Sequence, residues 1–200
     1  EKVWRHLRRE DVEVARCTVE RLMRAEGLEG VRRTRRRRTT VPDEQAQRPS
    51  DLVDRDFTAD APNRLWVSDF TYVMTWSGVV YVAFTIDVFS RRIVGWKADT
   101  SMKTPLVLDT LEMALWARDR AGIPLGETMI SHSDAGSQYT SFALTSRLIG
   151  VGIDPSVGSV GDAYDNALAE TTIGLYKAEK INRRGPWKTL SDVEIATLEW

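Results

Sequence analysis

Three carboxylates are the residues best suited to metal-dependent chemistry. Asp134 and Glu170 are separated by thirty-five residues, and Asp69 lies upstream at the tail of an apolar run. The local patterns predict Asp69 within a strand, Asp134 at a strand end and Glu170 in a helix. Such carboxylates repel one another when they are brought together. A pair of Mg²⁺ ions would remove this repulsion and create a phosphoryl-transfer centre.

The elements that would position these carboxylates form a recognisable order. Strands are predicted at 65–75, 79–90, 92–98, 128–133 and 153–157, with a tight hairpin at 76–78. Apolar periodicity predicts helices at 104–120, 141–149 and 162 to about 182, the last with Asp162 as its N-cap. The order βββαβαβα defines a mixed sheet flanked by helices, an α/β fold of ribonuclease-H type.

The N-terminal residues predict a separate helical segment. Residues 1–30 contain two short apolar stripes with a joint around Asp11, and Gly27 is suited to end the second helix. This pattern is similar to a helix-turn-helix, in which Arg16 and Arg21 of the second helix would contact DNA. A small helical hairpin with a solvated charged face is the alternative.

Positive charge is concentrated at the same end of the chain. Residues 1–50 carry fourteen Lys/Arg and nine Asp/Glu, whereas the whole chain has a net charge of -1. Six arginines in seven positions favour contact with phosphates, although a solvated flexible linker is the alternative. They are Arg32, Arg33, Arg35, Arg36, Arg37 and Arg38. We therefore expect an arginine-rich linker at 31–60 and a catalytic core at 61–200.

Composition excludes several other classes. Cys17 is the single cysteine, so no intramolecular disulfide can form, and with only His6 and His132 a Cys/His zinc finger is excluded. The longest apolar run, 79–86, is too short to span a bilayer, and no signal-peptide pattern is present. We expect a cytoplasmic protein. The mid-helix pattern at 197–200 predicts that the chain is a fragment.

Four strings carry a resemblance to a known family: WVSDFTYV, YVAFTIDVFSRRIVGW, HSDAGSQYTS and GDAYDNALAE. Residues 60–200, and more weakly the N-terminal helices, resemble bacterial insertion-sequence transposases (OrfB-type) of the DDE retroviral-integrase superfamily. The resemblance implies that Asp69, Asp134 and Glu170 are catalytic and hold two Mg²⁺ (or Mn²⁺) ions. It implies cleavage and strand transfer on double-stranded DNA, by a homo-oligomer associated with the bacterial nucleoid.

The same resemblance extends to neighbouring residues. Lys177 matches a basic position that would touch DNA near the scissile phosphate. Asn166 shares a helix face with Lys177 and Glu170, and it is expected either to hydrogen-bond a ligand such as DNA or to cap the neighbouring loop. Gln138 and Tyr139 are candidates to line the DNA path. His132 is expected either to orient a metal-bound water or to support the fold.

Further expectations concern the acidic and aromatic residues. Asp87 is expected to be structural, paired with Arg91 or Arg92. The tryptophans are expected to be mostly core and none is expected to be a base-stacking platform, for which Trp187 is the best exposed candidate. Two other functions stay open: a catalytically incomplete, transposase-derived DNA-binding regulator, and a ribonuclease H.

Overall fold

The computed structural model describes residues 2–28, 48–158 and 166–200. The chain divides into two compact units, Glu1–Gln45 and Ala46–Trp200. The six arginines at 32–38 and the predicted N-cap Asp162 lie outside the described residues.

Within residues 2–28, the described part of the N-terminal unit, there are two helices, α1 (Lys2–Arg9) and α2 (Arg16–Ala25). The Trp4 indole Nε1 donates to the Val14 carbonyl at 2.9 Å, and Val19 of α2 is buried. Asp11, in the joint, has a φ of 58°. Gly27, after α2, has a φ of 65°, a conformation that glycine adopts readily at helix ends. The two predicted helices and their joint are confirmed.

The second unit is built on five strands, as predicted. They are β1 (Leu65–Thr75), β2 (Gly78–Asp87), β3 (Ile93–Asp99), β4 (Met129–Ser133) and β5 (Ile153–Val157). Their order in the sheet is β3-β2-β1-β4-β5. The pairs β1–β2 and β2–β3 are antiparallel, while β1–β4 and β4–β5 are parallel. The predicted mixed sheet is therefore confirmed.

Helices cover the two faces of this sheet. They are α3 (Thr104–Arg120), α4 (Phe142–Gly150), α5 (Ala167–Tyr176), α6 (Asn182–Arg184) and α7 (Leu190–Glu199). One apolar core joins Trp66 and Met129 to α3 and α4. The other joins Val67 and Phe84 to α5 and α7. Because strand side chains alternate between faces, odd-numbered β1 residues such as Val67 point toward α5.

The approach of α3 to the sheet depends on Gly95 of β3. A Cβ at this position would overlap the Thr110 carbonyl oxygen and lie 2.9 Å from the Ala114 amide nitrogen. Glycine therefore allows the α3 backbone to pack directly on β3.

The long helix predicted to reach about residue 182 is interrupted. After α5 ends at Tyr176, Lys177–Ile181 form a π-helical turn. Tyr176 and Ile181 are five residues apart, and both are buried in the core beneath α5. The wider turn brings both side chains to one face, which regular α-helical spacing would not do.

Part of the predicted linker packs on the sheet of the second unit. The Leu52 amide donates to Ser156 Oγ of β5 at 2.9 Å, and Val53 is buried. The Phe57 ring lies 5.7 Å from the ring of His132. Residues 52–57 thus contact the sheet.

Two tryptophans differ from the expected core location. Trp76 is 71% exposed and Trp116 is 60% exposed, whereas Trp187 is half-buried. The Trp187 indole Nε1 donates to the Ile181 carbonyl at 3.0 Å. Among the described residues, no helix is long and apolar enough to cross a membrane.

Candidate active site

The sheet register places Asp69 and Asp134 side by side. The last paired residues of β1 and β4 are Ser68 and Ser133, so the next residues along these parallel strands are the two aspartates. Neighbouring strands lie about 4.8 Å apart. Val67 pairs with His132, two residues earlier on each strand, so by alternation both aspartates belong to the face that α5 covers.

Asn166 fixes the start of α5 against β1. Its side-chain Nδ2 donates to the Ser68 carbonyl at 3.1 Å, and its own carbonyl accepts the Glu170 amide at 3.0 Å. Ala169 and Ile173 are buried against the sheet and orient the same helix. Glu170, in the first turn of α5, is therefore held close to Asp69, with its side chain exposed to solvent.

The three carboxylates interact electrostatically. The pKa of Asp69 is raised to about 7, mainly by burial and in addition by the charges of Asp134 and Glu170. The Phe70 amide, which donates to Asp69 Oδ1 at 2.7 Å, and the Lys177 ammonium both lower it. Asp69 is thus partly desolvated and feels the charges of both other carboxylates.

The three carboxylates influence one another electrostatically, but they are not arranged as a metal-binding site. Within residues 2–28, 48–158 and 166–200, no three His, Cys, Asp or Glu side chains lie close enough together to hold a metal ion. Because Glu170 is exposed at the start of a helix, a rotamer change could bring its carboxylate nearer to the aspartates.

Lys177 occupies the opposite end of α5 from Asn166. It opens the π-helical turn, and its Nζ lies 5.0 Å from the centre of the Tyr72 ring on β1. This cation–π contact holds an ammonium group near the carboxylates.

The loop after β4 is more buried than the sequence suggested. Gln138 is 8% exposed and Tyr139 is 5% exposed, so contact of either with DNA would require this loop to open. Burial is the largest cause that raises the pKa of Tyr139 well above its ordinary value, followed by the charges of Asp69 and Asp134. The Tyr139 hydroxyl therefore lies within electrostatic reach of the aspartates.

His132 has the contacts of a supporting residue. It is fully buried on β4, and its Nδ1 lies 2.8 Å from Ser156 Oγ on β5. Its ring also packs against Phe57. These contacts join β4, β5 and the segment before β1, which favours the supporting role over water orientation.

Asp87 is structural, but the predicted partner is wrong. Its carboxylate pairs with Arg118 of α3, and both side chains are buried. It also accepts from the Phe89 amide at 3.2 Å and Ser90 Oγ at 2.8 Å. These bonds stabilise a turn after residue 87, which is why β2 ends before the predicted residue 90. Arg118 was missed because it lies thirty-one residues away in the chain.

In the N-terminal unit, both predicted DNA-contacting residues lie on α2. Arg16 Nε is 2.7 Å from Glu20 Oε1, one turn along the helix. Arg21 is exposed. Glu20 has a pKa lowered by the hydrogen bond and the charge of Arg16.

A mixed five-stranded sheet that brings two strand-borne aspartates beside a helix-borne glutamate has the architecture of a ribonuclease-H-like integrase core. The family model described as "Integrase core domain" matches residues 59–163, and the one described as "HTH-like domain" matches residues 1–37. The simian T-cell lymphotropic virus intasome in complex with PP2A regulatory subunit B56 gamma contains a chain of similar fold. Its TM-score is 0.53 at 18% identity, over 77% of this chain and 52% of that chain.

Curated relatives are similar over the whole chain. A Mycobacterium tuberculosis protein named "Putative transposase for insertion sequence element IS986/IS6110" is 54% identical over 199 residues, covering 100% of this chain and 72% of the relative. The Shigella sonnei "Transposase for insertion sequence element IS629" is also 54% identical, covering 100% of this chain and 64% of the relative. The chain belongs to the insertion-sequence transposases of the integrase superfamily, which confirms the resemblance seen in the sequence.

Proposed function

We propose that this transposase cleaves a phosphodiester at the end of its insertion sequence and joins the freed 3′ hydroxyl to a second phosphodiester. Asp69, Asp134 and Glu170 are the catalytic carboxylates in this proposal. The observation that carries it is the register of β1 and β4, which sets Asp69 beside Asp134 on the face where Asn166 anchors the start of α5.

The donor set of the site suits divalent cations. Three carboxylates offer the hard oxygen ligands that Mg²⁺ and Mn²⁺ bind, and their mutual repulsion at Asp69 would be relieved by a cation. In this proposal Asp69, Asp134 and Glu170 together hold two ions. Such ions, when bound, polarise the phosphate and stabilise charge on the attacking and leaving oxygens.

The chain's other residues bind and orient the substrate in this proposal. Asn166 keeps α5 in place, and Lys177 contacts a phosphate near the scissile bond. Gln138 would also contact the DNA if the loop after β4 opened when DNA binds. Arg16 and Arg21 of α2 and the arginines at 32–38 contact phosphates of the element's double-stranded DNA.

The assembly and location are part of the same proposal. Because the resemblance to this family implies multimers acting on paired ends, we propose that this chain works as a homo-oligomer. Because its substrate is the element in the bacterial chromosome, we place the protein at the nucleoid.

A nicking assay on a labelled element end tests the proposal. Wild-type protein should nick the DNA with Mg²⁺ or Mn²⁺ and not with EDTA. Asp134→Asn should abolish nicking and leave DNA affinity unchanged, because DNA is held mainly by basic residues. Asp154→Asn is the matched control, since Asp154 is an exposed aspartate on β5 whose partner on β4 is Ile130, four residues before Asp134 and so about 13 Å away along the strand.

Three outcomes would count against this assignment. Mg²⁺-dependent nicking by Asp134→Asn would remove Asp134 from the catalytic group. A wild-type chain that binds element ends and does not nick them under any divalent cation would instead be a non-catalytic DNA-binding regulator. Preference for RNA–DNA hybrids over element ends would point to a ribonuclease H.

A further inference from the structure

An exposed aromatic row follows Asp69 along β1 on even-numbered positions, which by alternation lie on the strand face opposite Asp69. We use this name for Tyr72, Met74 and Trp76, which are 55%, 66% and 71% exposed. Lys177, whose charge acts on Asp69, also contacts the first ring of the row and so connects the row to the carboxylates. Tyr72 lies three residues after Asp69, and Trp76 lies in the turn between β1 and β2. At about 3.3 Å per residue, the row extends about 13 Å from Tyr72 toward the hairpin tip.

Each ring of the aromatic row is paired with a lysine. Lys177 Nζ lies 5.0 Å from the centre of the Tyr72 ring, and Lys188 Nζ lies 5.6 Å from the centre of the Trp76 ring. Along the aromatic row, each exposed ring therefore has a positively charged ammonium group beside it. An apolar protein partner would leave these ammonium groups desolvated, whereas a polyanion with exposed bases would satisfy both features.

The outer end of the row is held rigidly. The Trp76 amide donates to the Trp187 carbonyl at 3.0 Å, and the Ser77 amide donates to the Lys188 carbonyl at 3.1 Å. The Lys188 amide in turn donates to Asp192 Oδ2 at 3.1 Å, and Asp192 belongs to the capping box of α7. Trp76 and Lys188 are thus fixed by backbone bonds before any ligand arrives, which lowers the entropy lost on binding.

We propose that the aromatic row and its two lysines bind single-stranded DNA by base stacking and phosphate contact. Base-paired DNA hides its base faces in the helical stack, so a stacking surface of this kind discriminates in favour of unpaired nucleotides. The assignment of the strand rests on the proposed function: it is the unpaired segment next to the phosphodiester cleaved at the carboxylates.

The binding test is an anisotropy titration of a short fluorescein-labelled oligo-thymidine, with the complete chain in EDTA. Stacking on one aromatic side chain is worth about 1–3 kcal/mol per base, so Trp76→Leu should weaken binding by about tenfold. Trp76→Phe keeps a ring and should recover most of that affinity. Affinity for a blunt duplex should change by less than about twofold, because duplex binding depends on phosphate contacts.

Trp116 provides a matched control. It is 60% exposed and also contacts a cation, with the Arg120 guanidinium 5.2 Å from its ring centre, but it lies on α3. Trp116→Leu should leave oligo-thymidine affinity within about twofold of wild type. Circular dichroism melting should show that both leucine variants remain folded, since both side chains are exposed.

Several results would overturn the proposal. The first is an oligo-thymidine affinity of Trp76→Leu that equals wild type. The second is a loss of duplex affinity in Trp76→Leu as large as its loss of oligo-thymidine affinity. The third is an equally large loss of oligo-thymidine affinity in Trp116→Leu. Loss of self-association in sedimentation with unchanged DNA affinity would instead make the row an interface between copies. Because the titration is run in EDTA and needs no cleavage, its outcome does not depend on whether the chain nicks DNA. A failure of nicking and a failure of stacking are therefore distinguishable.

Discussion

Replacing Asp69 with asparagine should stabilise the protein near neutral pH when no divalent cation is present. Burial and the charges of Asp134 and Glu170 raise the pKa of Asp69 from 3.8 to about 7. The folded protein therefore holds this proton more tightly than the unfolded chain does. Wild-type stability should fall as the pH rises from about 4 to about 7 and stay low above that. Asparagine can still accept the Phe70 amide, which donates to Asp69 Oδ1 at 2.7 Å, but it does not ionise.

The magnitude follows from the size of the pKa shift. A rise from 3.8 to about 7 is about three units, or about 4 kcal/mol at about 1.4 kcal/mol per unit. Solvent reaches the half-buried carboxyl and screens part of this effect. We therefore expect Asp69→Asn to gain about 1–3 kcal/mol near pH 8, and less than half as much near pH 5.

Urea unfolding followed by circular dichroism measures this difference. Wild type, Asp69→Asn and the control Asp154→Asn would be compared in EDTA at both pH values. The exposed control should show no pH-dependent gain. If Asp69→Asn gains no more near pH 8 than near pH 5, the Asp69 carboxyl is not destabilised by its surroundings and the electrostatic reasoning fails. Saturating Mg²⁺ should reduce the stability difference between Asp69→Asn and wild type, because the ion stabilises only a protein that binds it and Asp69→Asn lacks one of the proposed ligands.

Two further predictions concern the packing that supports the site. Gly95→Ala should lower the free energy of unfolding by about 1–3 kcal/mol or more, because its methyl would overlap the α3 backbone at Thr110. Gly150→Ala, where a Cβ would meet nothing within 4 Å, should be neutral or slightly stabilising, and equal urea midpoints for the two variants would contradict this account. Asp87→Asn should cost about 3–5 kcal/mol, because it leaves the buried Arg118 charge without its partner. Adding Arg118→Met to Asp87→Asn should restore part of the lost free energy of unfolding, measured by urea unfolding. If Asp87→Asn alone lost less than about 1 kcal/mol, the buried pair would contribute little.

Elements defined by neighbouring residues could be predicted from the sequence. The β1–β2 hairpin was predictable because Trp76, Ser77 and Gly78 separate two β-branched runs, and Gly78 takes a φ of 127° that glycine tolerates. The α2 helix and its end near Gly27 followed from an apolar stripe and a terminating glycine. The four family strings also directed attention to Asp69, Asp134 and Glu170.

Features that depend on distant contacts could not be predicted in the same way. The π-helical turn at Lys177–Ile181 exists because Tyr176 and Ile181 must enter one core, and helical periodicity alone gives no sign of that demand. The exposure of Trp76 and Trp116 was also missed. A tryptophan's burial depends on which surfaces the fold covers, and composition treats every tryptophan as a core candidate.

The sequence by itself determined the chemistry available to this protein: its carboxylates, its concentrated arginines, and the alternation that makes strands and helices. Those properties depend on residue type and short-range spacing. Only the tertiary structure decided that β4 runs parallel to β1, that Asn166 anchors α5 at Ser68, and that Lys177 and Lys188 contact the rings of Tyr72 and Trp76. These contacts join residues far apart in the chain, so they form only when the complete core selects one arrangement of the sheet and its helices.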